Sequence, residues 1–244
     1  MEFAKDSVVI IGVGPGASDL LPLRSQQYLA TAEVVCGFTT VLKPVQMWLQ
    51  PAAIQLQLSY KDQTARLEEA AQLAASGKPT VFCAWGDFNF SGKELVERVR
   101  LACQPYNLKI ELVPGISSLQ IACAQAGLAM EESLFITLHR RGGLEMATAE
   151  VVAEAAKNTR NLLILPHTFD LMPSALAALL VAAGQLTTRP LTVFERLTHP
   201  DERRLDTTLG ELANNPHEFS DLSIVVLPML TTPDSLAETA ISHG

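Results

Sequence analysis

Short apolar runs alternate with helix-period segments along this chain, and that alternation limits its fold more than any other feature. Residues 7–13 (SVVIIGV) read as a buried strand ending in glycines, 20–32 as a helix and 33–36 as a strand. Residues 64–76 (TARLEEAAQLAAS) form an amphipathic helix closed by Gly77, followed by a strand over 79–84, a helix over 93–103 and a strand over 108–113. Such spacing predicts an α/β fold in which helices are crossovers between largely parallel strands. After Pro114 and Gly115 the alternation resumes, with helices over 118–126, 145–157 and 174–183 and strands over 134–138, 161–165, 190–196 and 221–228. The polar stretch 203–208 reads as an edge strand. Short turns between the later strands predict a mixed sheet. Two α/β domains, 1–113 and 114–244, sharing a cleft are therefore expected.

At 244 residues and 48% hydrophobic the chain can bury a large core. No apolar run approaches the ~20 residues that span a bilayer. The first residues show neither a basic n-region nor a cleavage site, so a cytoplasmic protein without a membrane partner is expected. A net charge of −8 argues against nucleic acid as a partner. The four cysteines lack C-x-x-C spacing, and the five histidines form no i, i+3 or i, i+4 pair, so no metal site is expected.

Three loops follow strands of the first half. Gly12-Val13-Gly14-Pro15-Gly16-Ala17 formally matches the dinucleotide pattern G-x-G-x-x-A. Pro15 removes a backbone N–H where a pyrophosphate would sit, however, and no acidic residue ends the second strand. The second loop, residues 84–92 (AWGDFNFSG), reads either as a ligand loop or as an Asp-initiated turn with hydrophobic anchors. The third, 113–118 (VPGISS), delivers Ser117 and Ser118 to a helix start, as ligand contacts or as a plain N-cap. All three follow strands of one sheet and should converge on one of its edges.

With GVGPG, WGDFNFSG, VPGISS, ITLHRRGG, LLILPH and LTVFERLTHPDERRLDTTLGEL in this order, the sequence resembles the tetrapyrrole methylase family over nearly its whole length. Within it, PGISS followed by the T-x-H-R segment at Thr137 is most similar to members that methylate C5 of precorrin-7 or cobalt-precorrin-7 in cobalamin biosynthesis. In this chain the family's Gly-Asp-Pro reads Gly86-Asp87-Phe88, and Ala17 stands where the family has an acidic residue. The resemblance implies S-adenosyl-L-methionine as cofactor in the cleft between the two domains, contacted by Pro15, Trp85, Gly86, Asp87, Phe90, Ser117 and Ser118, and by Leu165 and Pro166. It implies a homodimer. C15 methylation and decarboxylation, fused to this activity in some organisms, are expected of a separate enzyme.

The implied acceptor is a small-molecule tetrapyrrole rich in carboxylates. The basic loop His139-Arg140-Arg141 suits its recognition, because guanidinium forks bind carboxylates bidentately. Arg203 and Arg204 read as a solvated pair. Methyl transfer asks for alignment and exclusion of water more than for covalent catalysis. No nucleophile–base pair is visible and no catalytic residue is named. Glu195 and His139 are candidate bases, each with a purely structural alternative. A same-fold methylase with another acceptor (uroporphyrinogen, another precorrin, a diphthamide precursor or ribosomal RNA), a nicotinamide-dependent dehydrogenase and a non-enzymatic scaffold are the competing readings.

Overall fold

The computed structural model describes residues 3–139, 144–168 and 170–230, which fall into two compact units, Met1–Gln120 and Ile121–Gly244. Each unit is built on one five-stranded sheet.

In the first unit the strands are β1 (Ser7–Gly12), β2 (Val34–Phe38), β3 (Ile54–Leu58), β4 (Thr80–Ala84) and β5 (Lys109–Val113), in the spatial order β3-β2-β4-β1-β5 and all parallel. Helices α1 (Leu23–Thr31), α2 (Thr39–Leu42), α3 (Gln63–Ala75) and α4 (Lys93–Cys103) connect them. Every residue of β2 and β4 is buried, as both faces of a parallel sheet must be when crossovers cover them. Right-handed crossovers put α1 and α2 on one face and α3 and α4 on the other, and α3 does pack on α4. The connections leaving β1 and β4, which are neighbours, therefore depart to opposite faces. That makes the gap above their carboxyl ends a topological switch point, where open α/β sheets bind ligands.

Residues 39–58 form elements that were passed over in reading the sequence. α2 is a single turn, and β3 (IQLQL) alternates polar with apolar because it is an edge strand with Gln55 and Gln57 exposed. The helix expected over 20–32 starts at Leu23, after a short 3-10 turn over Ser18–Leu20 and the stop at Pro22.

The second unit holds β6 (Ser133–Thr137), β7 (Asn161–Leu165), β8 (Pro190–Glu195), β9 (Arg203–Thr208) and β10 (Ser223–Leu227), ordered β6-β7-β10-β8-β9. β6 and β7 are parallel and the remaining pairs antiparallel, so the sheet is mixed, and β9 lies at its edge. Helices α5 (Ser118–Ala126), α6 (Leu144–Lys157) and α7 (Pro173–Ala182) match the periodic segments, and α8 (Leu209–Asn214) adds to them. α8 starts in a capping box: the Thr208 hydroxyl accepts from the Glu211 N–H at 3.2 Å while the Glu211 carboxylate accepts from the Thr208 N–H at 3.2 Å. No helix among the described residues is long and apolar enough to cross a membrane.

Candidate functional site

The loops that follow β4, β1 and β5 leave three adjacent strands on the same edge of the first sheet, and their backbones touch. Val13 N–H donates to the Ala84 carbonyl at 3.0 Å, and Gly14 and Gly86 exchange two N–H···O bonds, each of 3.1 Å. A Cβ on Gly12 would lie 2.5 Å from the Gly86 oxygen and 2.6 Å from the Gly115 nitrogen, and one on Gly115 would collide with the same Gly86 oxygen. The first glycine of the G-x-G pattern therefore serves contact between loops. Gly86 differs: it needs its φ of +52°, but a Cβ there would meet nothing nearer than 3.9 Å.

Around this knot the expected contact residues separate by role. Asp87 is buried, and its Oδ1 accepts from the Asn89 N–H at 2.9 Å and the Asn89 Nδ2 at 2.8 Å, the Asp-initiated turn anticipated above. Phe88 plugs the core at 4% exposure. Gly92 closes the loop with its N–H on the Phe88 carbonyl, in a place where a Cβ would sit 2.5 Å from the Phe88 Cα. Ser117 is buried as the N-cap of α5: its hydroxyl accepts from the Leu119 N–H at 3.2 Å, and the Gln120 side chain accepts from the Ser117 N–H at 2.7 Å. Pro15, Phe90 and Ser118 are half-buried, and Ser118 is the serine of the pair left with surface.

Trp85 is 40% exposed, its indole N–H donating to the Thr40 hydroxyl at 3.2 Å. Its ring lies 4.5 Å from that of Phe38, which in turn lies 5.2 Å from that of Tyr60. Sequence reasoning passed over Phe38 and Tyr60. The available signal was one aromatic residue at or just past each of three strand ends.

In the second unit the ends of β6 and β7 bring His139 together with Leu165 and Pro166. Leu138 N–H donates to the Leu165 carbonyl at 2.9 Å, and the Pro166 carbonyl lies near the imidazole of His139, a residue that keeps an exposed surface. Desolvation by the surrounding chain, helped by nearby His167, holds His139 below the usual histidine pKa, against the upward pull of the Pro166 carbonyl and of Asp221. Arg140 and Arg141 lie outside the described residues. Glu195 is held structurally: its carboxylate accepts from Arg203 Nε at 2.7 Å and from the Ser220 N–H at 2.6 Å. Arg204 pairs with Asp206 and lies over the Phe194 ring, so neither Arg203 nor Arg204 is an unengaged cation.

A sequence model for tetrapyrrole (corrin/porphyrin) methylases matches residues 7–213. The chain belongs to the tetrapyrrole methylase family. Among relatives, a probable cobalt-precorrin-7 C(5)-methyltransferase of Methanocaldococcus jannaschii is 26% identical over 90% of this chain and 96% of its own. A siroheme synthase of Tolumonas auensis is 27% identical over 93% of this chain and 49% of its own, and the chain spans about half the length of the siroheme synthases it matches. Two solved structures share the fold. A uroporphyrin-III C-methyltransferase of Thermus thermophilus with S-adenosylhomocysteine has TM-score 0.67 and 23% identity, over 91% of this chain and 92% of its own. A precorrin-6Y methylase of Archaeoglobus fulgidus has TM-score 0.66 and 20% identity, over 93% and 100%. In this tetrapyrrole methylase the loop after β4 is held by the buried Phe88 and the Asp87 turn.

Proposed function

We propose that this chain is an S-adenosyl-L-methionine-dependent C-methyltransferase that methylates C5 of precorrin-7 or cobalt-precorrin-7 in cobalamin biosynthesis. The observation that carries the reading is the locked knot of glycine loops above β4, β1 and β5, at the switch point of a parallel sheet. It brings closely packed main chain and the buried Asp87 carboxylate to one place, which suits a ligand bearing an amino acid group and a sulfonium cation. When bound, S-adenosylmethionine supplies an electrophilic methyl group on positively charged sulfur.

The chain's own residues bind and orient. Pro15, Gly86 and Ser118 offer a rigid, close-approach edge, the Asp87 carboxylate attracts the cation, and Phe90 excludes water. Ser117 acts through the start of α5, which it caps. Leu165 and Pro166 contribute as cofactor contacts, and His139, Arg140 and Arg141 recognise acceptor carboxylates. The reading includes a homodimer.

The relative matched over nearly its whole length supports the C5 acceptor. A second reading, methylation of uroporphyrinogen, draws on the siroheme synthases. Incubation with labelled S-adenosylmethionine and, separately, precorrin-7, cobalt-precorrin-7 and uroporphyrinogen III, with mass analysis of the products, decides between them. Label in uroporphyrinogen alone would overturn the C5 assignment.

A further inference from the structure

Beyond the cofactor loops, the first unit carries an aromatic row. Register makes Phe38, Leu58 and Ala84 level at the carboxyl ends of β2, β3 and β4: Phe38 pairs with Leu58, and Cys36, two residues earlier, with Phe82. Tyr60 and Trp85 stand just beyond those ends, on either side of Phe38. Phe38 is 8% exposed and forms the floor, whereas Tyr60 is 87% exposed. An aromatic ring that much in water has no role in the core. The Phe38 and Trp85 planes are inclined by only 31°, and the bond to Thr40 holds the indole in place.

We propose that Tyr60 and Trp85, on their Phe38 floor, form a shelf that stacks against one face of the acceptor macrocycle. The inference rests on the function proposed above and extends it to residues that set acceptor affinity. Size favours the macrocycle over the cofactor's adenine. Three neighbouring strands span two spacings of ~4.8 Å, roughly 10 Å in all, which is wide for one purine and suited to a flat multi-ring ligand. Continuity favours it too, since Trp85 precedes Gly86, whose backbone closes on Gly14. Charge agrees: Lys61 follows Tyr60, is exposed, and among the described residues makes no ion pair, as a carboxylate-rich ligand would need. Offset stacking on aromatic faces tolerates the partly conjugated, slightly puckered rings of reduced tetrapyrroles. The shelf takes Trp85 from the cofactor to the acceptor.

The test is calorimetric titration of the full chain with cobyrinic acid, a stable corrin carboxylate, and separately with S-adenosylhomocysteine. Tyr60→Ala and Trp85→Leu should each weaken cobyrinic acid binding roughly tenfold, the scale of losing one stacking face. Both should leave S-adenosylhomocysteine affinity within twofold, and Tyr60→Phe, which keeps the ring, should bind like the parent. Melting of each variant is followed on the same sample, and Tyr60→Ala, at an exposed position, should melt like the parent. Unchanged cobyrinic acid affinity in both Ala and Leu variants would overturn the shelf while leaving the methyltransferase reading intact. Selective loss of S-adenosylhomocysteine in Trp85→Leu would return the indole to the adenine. Dissociation of an oligomer by Tyr60→Ala would make the row a contact between copies, and overturn it equally. Parent protein that binds neither ligand would remove the proposed function itself, and the shelf with it.

Discussion

At the scale of single residues, glycines that look alike in sequence do different jobs. Gly12 is surrounded by backbone at 2.5–2.8 Å from any added Cβ, and backbone at a strand end cannot rotate away as a side chain can. Gly12→Ala should therefore cost roughly 3 kcal/mol, the upper end of overpacking penalties. Gly86→Ala has room and should cost only about 1 kcal/mol for its left-handed φ. Gly86→Asn should cost less still, because Asn tolerates that region. Urea denaturation of the three variants ranks them, and a Gly12→Ala protein as stable as Gly86→Ala would refute the knot. His139 gives a second prediction. Its imidazole should titrate below ~6.5, the ordinary value, when followed by NMR. His167→Ala should move it up and Asp221→Asn down, matching the signs of those neighbours. Because the folded pKa is the lower one, the unfolded chain takes up this proton first. The contribution to stability is thus unchanged above ~6.5 and is lost as pH falls below it toward the folded value. In His139→Gln that part of the pH–stability curve should flatten; no flattening would mean the imidazole is as solvated folded as unfolded.

Among elements, the segment following β10 depends on one buried cation. Arg189 is 2% exposed and pairs with no carboxylate among the described residues. Its guanidinium instead donates to the Ala155 carbonyl at 2.8 Å, the Asn158 side chain at 3.1 Å and the Pro228 carbonyl at 3.1 Å, tying the ends of α6 and β10 together. Burial lowers its pKa, yet the reference is so high that it stays charged. Asn158 and Asn161 reinforce the tie by accepting from the Leu230 and Met229 N–H groups at 2.8 and 2.9 Å. Arg189→Ala strands several buried acceptors, each worth about 1–3 kcal/mol when unpaired, and should destabilise the second unit by more than 3 kcal/mol in all. Arg189→Lys should recover only part of this, since an ammonium cannot reproduce the planar fork. Hydrogen exchange at Met229 and Leu230 is the local readout. Protection there unaltered by Arg189→Ala would show that the asparagines suffice.

For the whole molecule, the prediction concerns ligand linkage. S-adenosylhomocysteine at 100 times its dissociation constant should stabilise the fold by roughly 2.7 kcal/mol, and NAD should leave it unmoved. The distinction follows from Pro15, which withholds an N–H from a pyrophosphate, and from Gly12, whose freedom is spent on Gly86 and Gly115. A melting shift with NAD and none with S-adenosylhomocysteine would reverse the cofactor assignment.

Periodicity alone determined most elements here. The helix over Lys93–Cys103 and the strand over Asn161–Leu165 have the bounds read from the sequence, because each is a strongly patterned segment with clear stops. The edge position of β9 was legible in its polarity. The family was legible in the order of its motifs. α2 was not, since a single turn carries little apolar period, and β3 was missed although IQLQL alternates apolar with polar as a half-exposed strand does. α8 was missed although its Thr208-to-Glu211 capping box stands in the sequence. Only tertiary structure decided what the loops do. Whether Ser117 caps or binds depends on where its hydroxyl points, and whether Gly12 faces a ligand or a neighbouring loop depends on strand order β4-β1-β5. The shelf of Phe38, Tyr60 and Trp85 comes from strands that are neighbours in space but far apart in the chain, and local sequence carries no record of which strands will pair.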